Sequence, residues 1–199
     1  MRSVYILLAR TETFFSRAIH VATGEPYTHA SLSLNRDLSS MYSFARRWRK
    51  VPCFGGFVKE KVDGGVYGDH PNAPCALYEI RVSESTHNKL CEYVAALYEH
   101  RYLWHYNYLG AAANFFGKSH CGNHSRFCSE FVAKALLDSG ALPTGSESRP
   151  FLDPGRVRPS MLAELPGAHC VYKGNLHELP EAVAPQPQSR FIYSIRAGL

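Results

Sequence analysis

Among the residues of this sequence that can act as nucleophile or base, Cys128 and His29 hold the most telling positions. Cys128 stands where the helical pattern of FCSEFVAKALLDSG begins. It shares a stripe with Phe131, Val132 and Ala135, so its sulfur is expected to face a cleft beside the core rather than bulk water. A thiol ionises near pH ~8.5 and attacks as thiolate; the positive end of a helix and a neighbouring imidazolium both favour that form. The N–H groups of a helix's first turn have no intrahelical partner and can stabilise an oxyanion formed beside the sulfur. Loss of one such donor costs roughly 3 kcal/mol of barrier in enzymes that use it. His29 opens the segment HASLSLN, with Ala30, Leu32 and Leu34 on one face and His29, Ser31 and Ser33 on the other. At a strand end, a base can meet a nucleophile that is remote in sequence once the chain folds. The plainer reading of the same residues is an inert buried cysteine and a histidine that satisfies a turn.

A rival constellation overlaps this one. His120, Cys121, His124 and Cys128 lie close together, and both residue types bind zinc. The spacing HCxxHxxxC is not that of a closed structural site, and a second ligand pair is missing, so neither metal nor cofactor is expected. The basic run RRWRK at 46–50 reads as a solvated strand edge that discourages association between sheets. GGFVKEK lacks the spacing of a phosphate-cradling loop.

The elements that must position these groups follow from periodicity. Ser3 to Ala9 (SVYILLA) reads as a buried strand, and TETFFSRAIHVATG as a helix stopped by Gly24 and Pro26. HASLSLN should form a half-buried strand, paired through the turn NRDLSS with MYSFAR, so that 29–46 is a hairpin. The glycine- and proline-rich stretch from Lys50 to Pro74 reads as loops around one short strand, and CALYEIRV as another alternating strand. Ser85 to Arg101 forms an amphipathic helix, YLWHYNYLGAAANFFG carries a shorter one, and Gly140 ends the Cys128 helix. Beyond Pro143 the pattern weakens to one short helix near Pro159, and PEAVAPQPQ reads as a linker.

The chain has 199 residues, which suits one domain: 1–180 as a single catalytic domain, and 181–199 as a proline-containing tail in which FIYSI can close as a strand. With 45% hydrophobic and 20% charged residues the composition is globular, which excludes fibres and wholesale disorder. A net charge of +5 falls short of a nucleic-acid binder's profile. No run approaches the ~20 apolar residues of a membrane span. Val4 to Ala9 is too short for a signal-peptide core, so the sequence reads as a soluble, cytoplasmic protein with no integral membrane segment. Six irregularly spaced cysteines fit reduced thiols better than a disulfide scaffold.

With both residues placed, the sequence resembles the circularly permuted NlpC-type cysteine peptidases and amidases of the papain-like superfamily. YTHASLSL is similar to the strand that begins with the family's histidine. MYSFARRW followed by GGFVKE is similar to the next strand and its loop, and RFCSEFVAKAL to the nucleophile helix. The likeness runs from about Ser3 to Leu142, and histidine before cysteine marks the permuted branch. It implies an α+β fold with a small antiparallel sheet packed against the cysteine helix. It also implies acyl chemistry, with Cys128 attacking a carbonyl and His29 shuttling the proton. Substrates in the group are peptides or amides, and permuted relatives include acyltransferases on lipids. The family orients its histidine with a polar residue on the following strand; the matching place here is Ser43 or Tyr42. A hairpin with Leu34 opposite Met41 would turn Tyr42 and Phe44 toward His29, which leaves the register open. Three functions are therefore expected in order: a thiol hydrolase of amide or peptide bonds, an acyltransferase or thioesterase-like enzyme on the same dyad, and an inactive binding module of the same fold.

Overall fold

The computed structural model describes residues 1–11, 14–47, 54–119, 122–143 and 145–184. Its elements in chain order are β1 (Arg2–Ala9), α1 (Phe14–Thr23), β2 (His29–Ser33), β3 (Met41–Arg46), β4 (Gly55–Glu60) and α2 (Gly65–Gly68). β5 (Pro74–Val82), α3 (Glu84–Glu99), β6 (His105–Tyr106), α4 (Tyr108–Phe115), β7 (Ser125–Arg126) and α5 (Cys128–Ser139) follow. After several 3-10 turns come β8 (Ala168–Asn175) and α6 (Leu179–Val183). Six strands form one antiparallel sheet in the order β4-β3-β2-β1-β5-β8, and β6 and β7 pair in parallel as a small separate ladder. The architecture is α+β.

Each element has a local cause. β1 is an unbroken apolar run because it is central and covered on both faces from Val4 onward. Ser83 caps α3 by accepting the Thr86 N–H at 3.0 Å. α5 stops at Gly140, whose φ of 75° suits glycine; Ala141 N–H reaches back to Leu136 O at 2.8 Å and Gly140 N–H to Leu137 O at 3.1 Å.

The sheet separates two apolar layers. On one face Val4, Ile6, Leu8, Ala30, Leu32 and Phe44 meet α3 and α5 through Leu90, Phe131, Val132 and Leu136. Here Phe44, Phe57 and Phe131 pack with ring centroids 5.1–5.9 Å apart, a spacing that favours tilted aromatic contacts. On the other face Tyr5, Leu7, Met41 and Leu77 are covered by Tyr67 of α2 and by Leu176, Leu179 and Val183 near the end of the described chain.

The second layer corrects one expectation. β2 is buried along its whole length rather than half-buried, because Tyr67 of α2 and the Glu60 side chain reaching across from β4 cover His29 and Ser31, and the β2–β3 turn covers Ser33. A further strand also exists where little regular structure was expected. β8 pairs with β5 from Pro74–Asn175 to Ile80–Ala168 with a register shift between Leu77 and Tyr78. As an edge strand with mostly exposed or half-exposed residues it carries no apolar alternation to betray it. The stretch read as a linker from Pro180 begins inside α6, which buries Leu179 and Val183. FIYSI lies outside the described residues, as do His120 and Cys121 of the zinc constellation and residues 48–50 of RRWRK. Of its described residues, Arg46 ends β3, an internal strand flanked by β4 and not a sheet edge, and Arg47 is turned to protein: its guanidinium donates to Trp104 O at 2.9 Å and to Arg101 O. Among the described residues no helix is long and apolar enough to cross a membrane.

The glycine pair of GGFVKE has a packing role. A Cβ on Gly55 would lie 2.6 Å from Tyr106 Cβ and 3.0 Å from the Tyr108 hydroxyl, so its absence lets the β6 segment settle against β4. Gly55→Ala is expected to destabilise the fold by about 1–3 kcal/mol through overpacking. Chemical denaturation checks this, and an unchanged midpoint would mean that β6 has slack.

Candidate active site

α5 begins at Cys128, directly after Phe127 in extended conformation, so the sulfur sits in the helix's first turn. The side chain is buried and hydrogen-bonded to the His29 ring, and the backbone N–H groups of Ala30 and Ser129 also point at the sulfur. Burial by itself would raise the thiol's pKa. The His29 hydrogen bond and charge, with the two backbone donors, outweigh it and hold Cys128 below the ordinary thiol value. β2 supplies the base from its first residue, and α5 packs across that strand. The structure thus brings the two residues singled out from the sequence into one buried contact.

The other ring nitrogen of His29 is taken. Nε2 lies 3.2 Å from both carboxylate oxygens of Glu60, the last residue of β4, and both side chains are almost fully buried. Nε2 donating to Glu60 leaves Nδ1 for the thiol. Burial disfavours the charged ring, but Glu60 and Cys128 more than compensate, raising the imidazole's pKa from 6.5 to about 10. Glu60 is held below the usual carboxylate range: burial pushes it up, but the His29 charge and hydrogen bonds from His29, Ser31 and Ser43 outweigh this.

The hydroxyls of Ser31 and Ser43 fix the carboxylate. Ser31 Oγ donates to Glu60 Oε2. Its single proton thereby spent, Ser31 accepts from the Tyr67 hydroxyl at 2.6 Å. The Tyr67 ring lies 5.4 Å from the His29 ring, tilted by 59°, and walls off the imidazole.

Ser43, the expected third residue, is on the right face. The observed register pairs Ser33 with Met41, one step from the simple hairpin, and this turns Ser43 rather than Tyr42 toward His29. Ser43 Oγ stands 3.4 Å from Nε2 and also bonds Glu60, so it supports the carboxylate rather than replacing it. Tyr42 packs in the opposite layer, stacked on Phe57 at 5.8 Å.

Glu60 is the member of this row that the sequence pattern does not single out. GGFVKE reads as strand and loop, yet its alternation sets Glu60 on the face of Val58 and Gly56, away from Phe57. Its pairing with Met41 then aligns it with the Ser43 side of β3. An acidic residue ending a buried strand on its inward face is the signal that was available. Tyr106 was also hidden, inside an aromatic run. Its hydroxyl bonds Cys128, and burial next to that sulfur holds its pKa well above the usual phenol value, so it keeps its proton as a donor.

Beside the sulfur lies a narrow cleft of about 10 Å³, walled by Thr28, Tyr106, Ala111, Asn114, Phe115, Phe127, Ser129 and Pro159. Its far wall is tied to α5 by Ser129 Oγ donating to Val157 O at 2.7 Å, and Arg158 pairs with the buried Glu25 at 2.8 Å. Among the described residues no group of three or more potential ligands is gathered for a metal ion. Comparison with family models, curated proteins and solved structures finds no match to this chain.

The electrostatics predict a pH profile. Thiolate and imidazolium coexist between the depressed pKa of Cys128 and the value near 10 of His29, so the rise in alkylation rate of Cys128 should fall at lower pH than that of an ordinary thiol. Glu60→Gln removes the anion that holds the imidazolium and should move the rise in alkylation rate to higher pH; a superimposable profile would refute the role given to Glu60. Stability follows the same charges. The raised His29 pKa stabilises fully below its unfolded value of 6.5 and ceases to as pH climbs through about 10. The depressed Glu60 pKa stabilises above 4.5 and ceases to as pH falls through its folded value. Wild type should therefore exceed Glu60→Gln in stability most between about pH 4.5 and 6.5, as read by urea unfolding at a series of pH values.

Proposed function

We propose that this protein is a thiol hydrolase with a papain-like, circularly permuted NlpC-type architecture, opening an amide or peptide bond through an acyl-enzyme on Cys128. One observation carries the reading: the buried Cys128–His29–Glu60 row at the start of α5, with the thiol's pKa depressed and the imidazole's raised. The sequence resemblance, which rests on the same cysteine and histidine, supports this reading.

In the first half-reaction the Cys128 thiolate attacks the carbonyl carbon, forming the S–C bond and a tetrahedral oxyanion. The Ser129 N–H in the first turn of α5 and the Tyr106 hydroxyl, both turned to the sulfur, would donate to that oxygen. Collapse breaks the C–N bond, and the His29 imidazolium gives its proton to the departing amine. Water then attacks the thioester while His29 takes its proton; the carboxylic acid leaves and the thiolate is restored. Glu60 keeps its charge throughout and holds the ring in place.

The cleft favours a small acyl group. At about 10 Å³, the space of one water-sized sphere, it lies far below the roughly 300–1,000 Å³ of pockets that enclose drug-sized ligands and has no room for a long lipid chain. Its walls are largely apolar, and that observation keeps the acyltransferase or thioesterase reading as the second choice. An inactive module is disfavoured because its motive was a hydroxyl in the third position, and Glu60 supplies a carboxylate there. A cytoplasmic, reducing setting suits the free thiols of Cys75, Cys91, Cys128 and Cys170.

Mass spectrometry after brief treatment with iodoacetamide should find Cys128 labelled ahead of Cys75, whose pKa burial pushes up to about 12, and ahead of Cys91. An activated aryl ester should leave its acyl group on Cys128, and Cys128→Ala should abolish turnover; retained turnover would overturn the reading. Tyr106→Phe should lower kcat by roughly 100-fold if its hydroxyl serves the oxyanion. Adding a free amine during turnover separates hydrolysis from transfer: a dominant amide product favours the acyltransferase.

A further inference from the structure

The wall of the cleft contains an amide group that is only half used. Asn114 of α4 lines the cleft beside Cys128 and is 4% exposed. Its Nδ2 donates to Gly155 O at 2.8 Å. That bond fixes which end of the amide is which, since the flipped arrangement would set oxygen against oxygen. Oδ1 is thereby left as an acceptor, and among the described residues it has no hydrogen-bond partner; it is the one buried side-chain polar atom there of which this holds. Native proteins satisfy nearly all such atoms, so an orphan beside a reactive thiol calls for an explanation. Elsewhere around the site satisfaction is thorough: Ser31, Ser43, Tyr67, Glu60 and Ser129 all have partners.

We propose that Asn114 Oδ1 is a substrate-binding acceptor that receives an N–H donor from the acyl part of the substrate, so that the site selects N-acylated amino-acid or peptide carbonyls over plain acyl chains. The inference rests on the thiol-hydrolase reading of the same site and narrows its substrate class. An acceptor cannot bind an oxyanion, which excludes Asn114 from that role and assigns it to a donor on the substrate. Among the other lining groups the hydroxyls of Thr28, Ser129 and Tyr106 already hold partners in Ser16, Val157 O and Cys128, and there is no carboxylate or second side-chain amide for a substrate N–H to choose instead. A site that offers a buried acceptor rejects a ligand lacking the donor, because the acceptor then stays both dry and unpaired.

The test compares three phenyl esters of nearly equal size, the N-acetylglycyl, N-acetylsarcosyl and 4-oxopentanoyl esters. Only the first offers an N–H, while the others present N–CH3 and CH2 in its place. Wild type should turn over the first with kcat/KM about 10- to 100-fold above the other two. Asn114→Leu should bring the ratio near one. Asn114→Asp, which keeps an oxygen acceptor and when protonated can still donate to Gly155 O, should retain the preference at acid pH. Equal rates in wild type, or a preference that survives in folded Asn114→Leu, would overturn the role of Asn114 while leaving the hydrolase intact. A parallel titration of Cys128→Ala protein with N-acetylglycine amide and N-acetylsarcosine amide reads binding without chemistry. A Kd ratio of the same size there, with no acylation of wild type by any ester, would sink the hydrolase and spare the recognition by Asn114. A Kd ratio of one would count against Asn114 on its own.

Discussion

The contact between His29 and Glu60 is the constraint to which the rest of the site answers. Two charges lie out of water, and each alone would carry a desolvation cost of several kcal/mol, so neither is tolerable without its partner. Glu60 is neutralised by His29 and saturated by the hydroxyls of Ser31 and Ser43. His29, flanked by Glu60 on one side and the sulfur on the other, holds a proton far more strongly than a free imidazole. The activation of Cys128 is the far end of this chain, because an imidazolium that will not surrender its proton to solvent stabilises the thiolate next to it.

The scaffold supplies rigidity where this arrangement needs it. Ser31 and His29 share one face of β2, so the hydroxyl that anchors Glu60 and the ring that pairs with it are fixed by a single strand. Tyr67 closes the same face from α2 and completes the hydrogen bonding of Ser31. On the opposite face the Phe44, Phe57 and Phe131 cluster locks α5 against β3 and β4, which sets the height of Cys128 above the strand end. Gly55 admits Tyr106 to the sulfur by leaving no Cβ in its way. Each of these contacts joins parts of the chain that are distant in sequence.

That distance explains what could and could not be read in advance. Cys128 and His29 were legible because each stands at the boundary of a clear periodic pattern, and element boundaries are where helix N-termini and strand ends can do chemistry. The choice between Ser43 and Tyr42 was not, because it hangs on a one-residue register. The turn joining β2 and β3 closes with Leu34 N–H on Ser40 O and carries Leu38 at a φ of 59°, a detail that spacing alone does not reveal. Glu60 required knowing that β4 lies beyond β3 and that its last residue points inward. β8 was hidden by its edge position, where an exposed face removes the alternation that marks buried strands. Tyr106 and Asn114 belong to segments whose composition reads as generic aromatic or small-residue helix, and only the cleft gives them meaning.

The order of these parts along the polypeptide has a consequence for a ribosome-bound chain. Base and carboxylate, on β2 and β4, are synthesised well before the nucleophile on α5. The sheet can begin to assemble with its imidazole and carboxylate already matched, while the cysteine that would react is still in the exit tunnel. When α5 emerges, its sulfur comes to lie beside this pair, and only then do the contacts that lower its pKa exist. Until then nothing in its surroundings sets this thiol apart from the other cysteines of the chain.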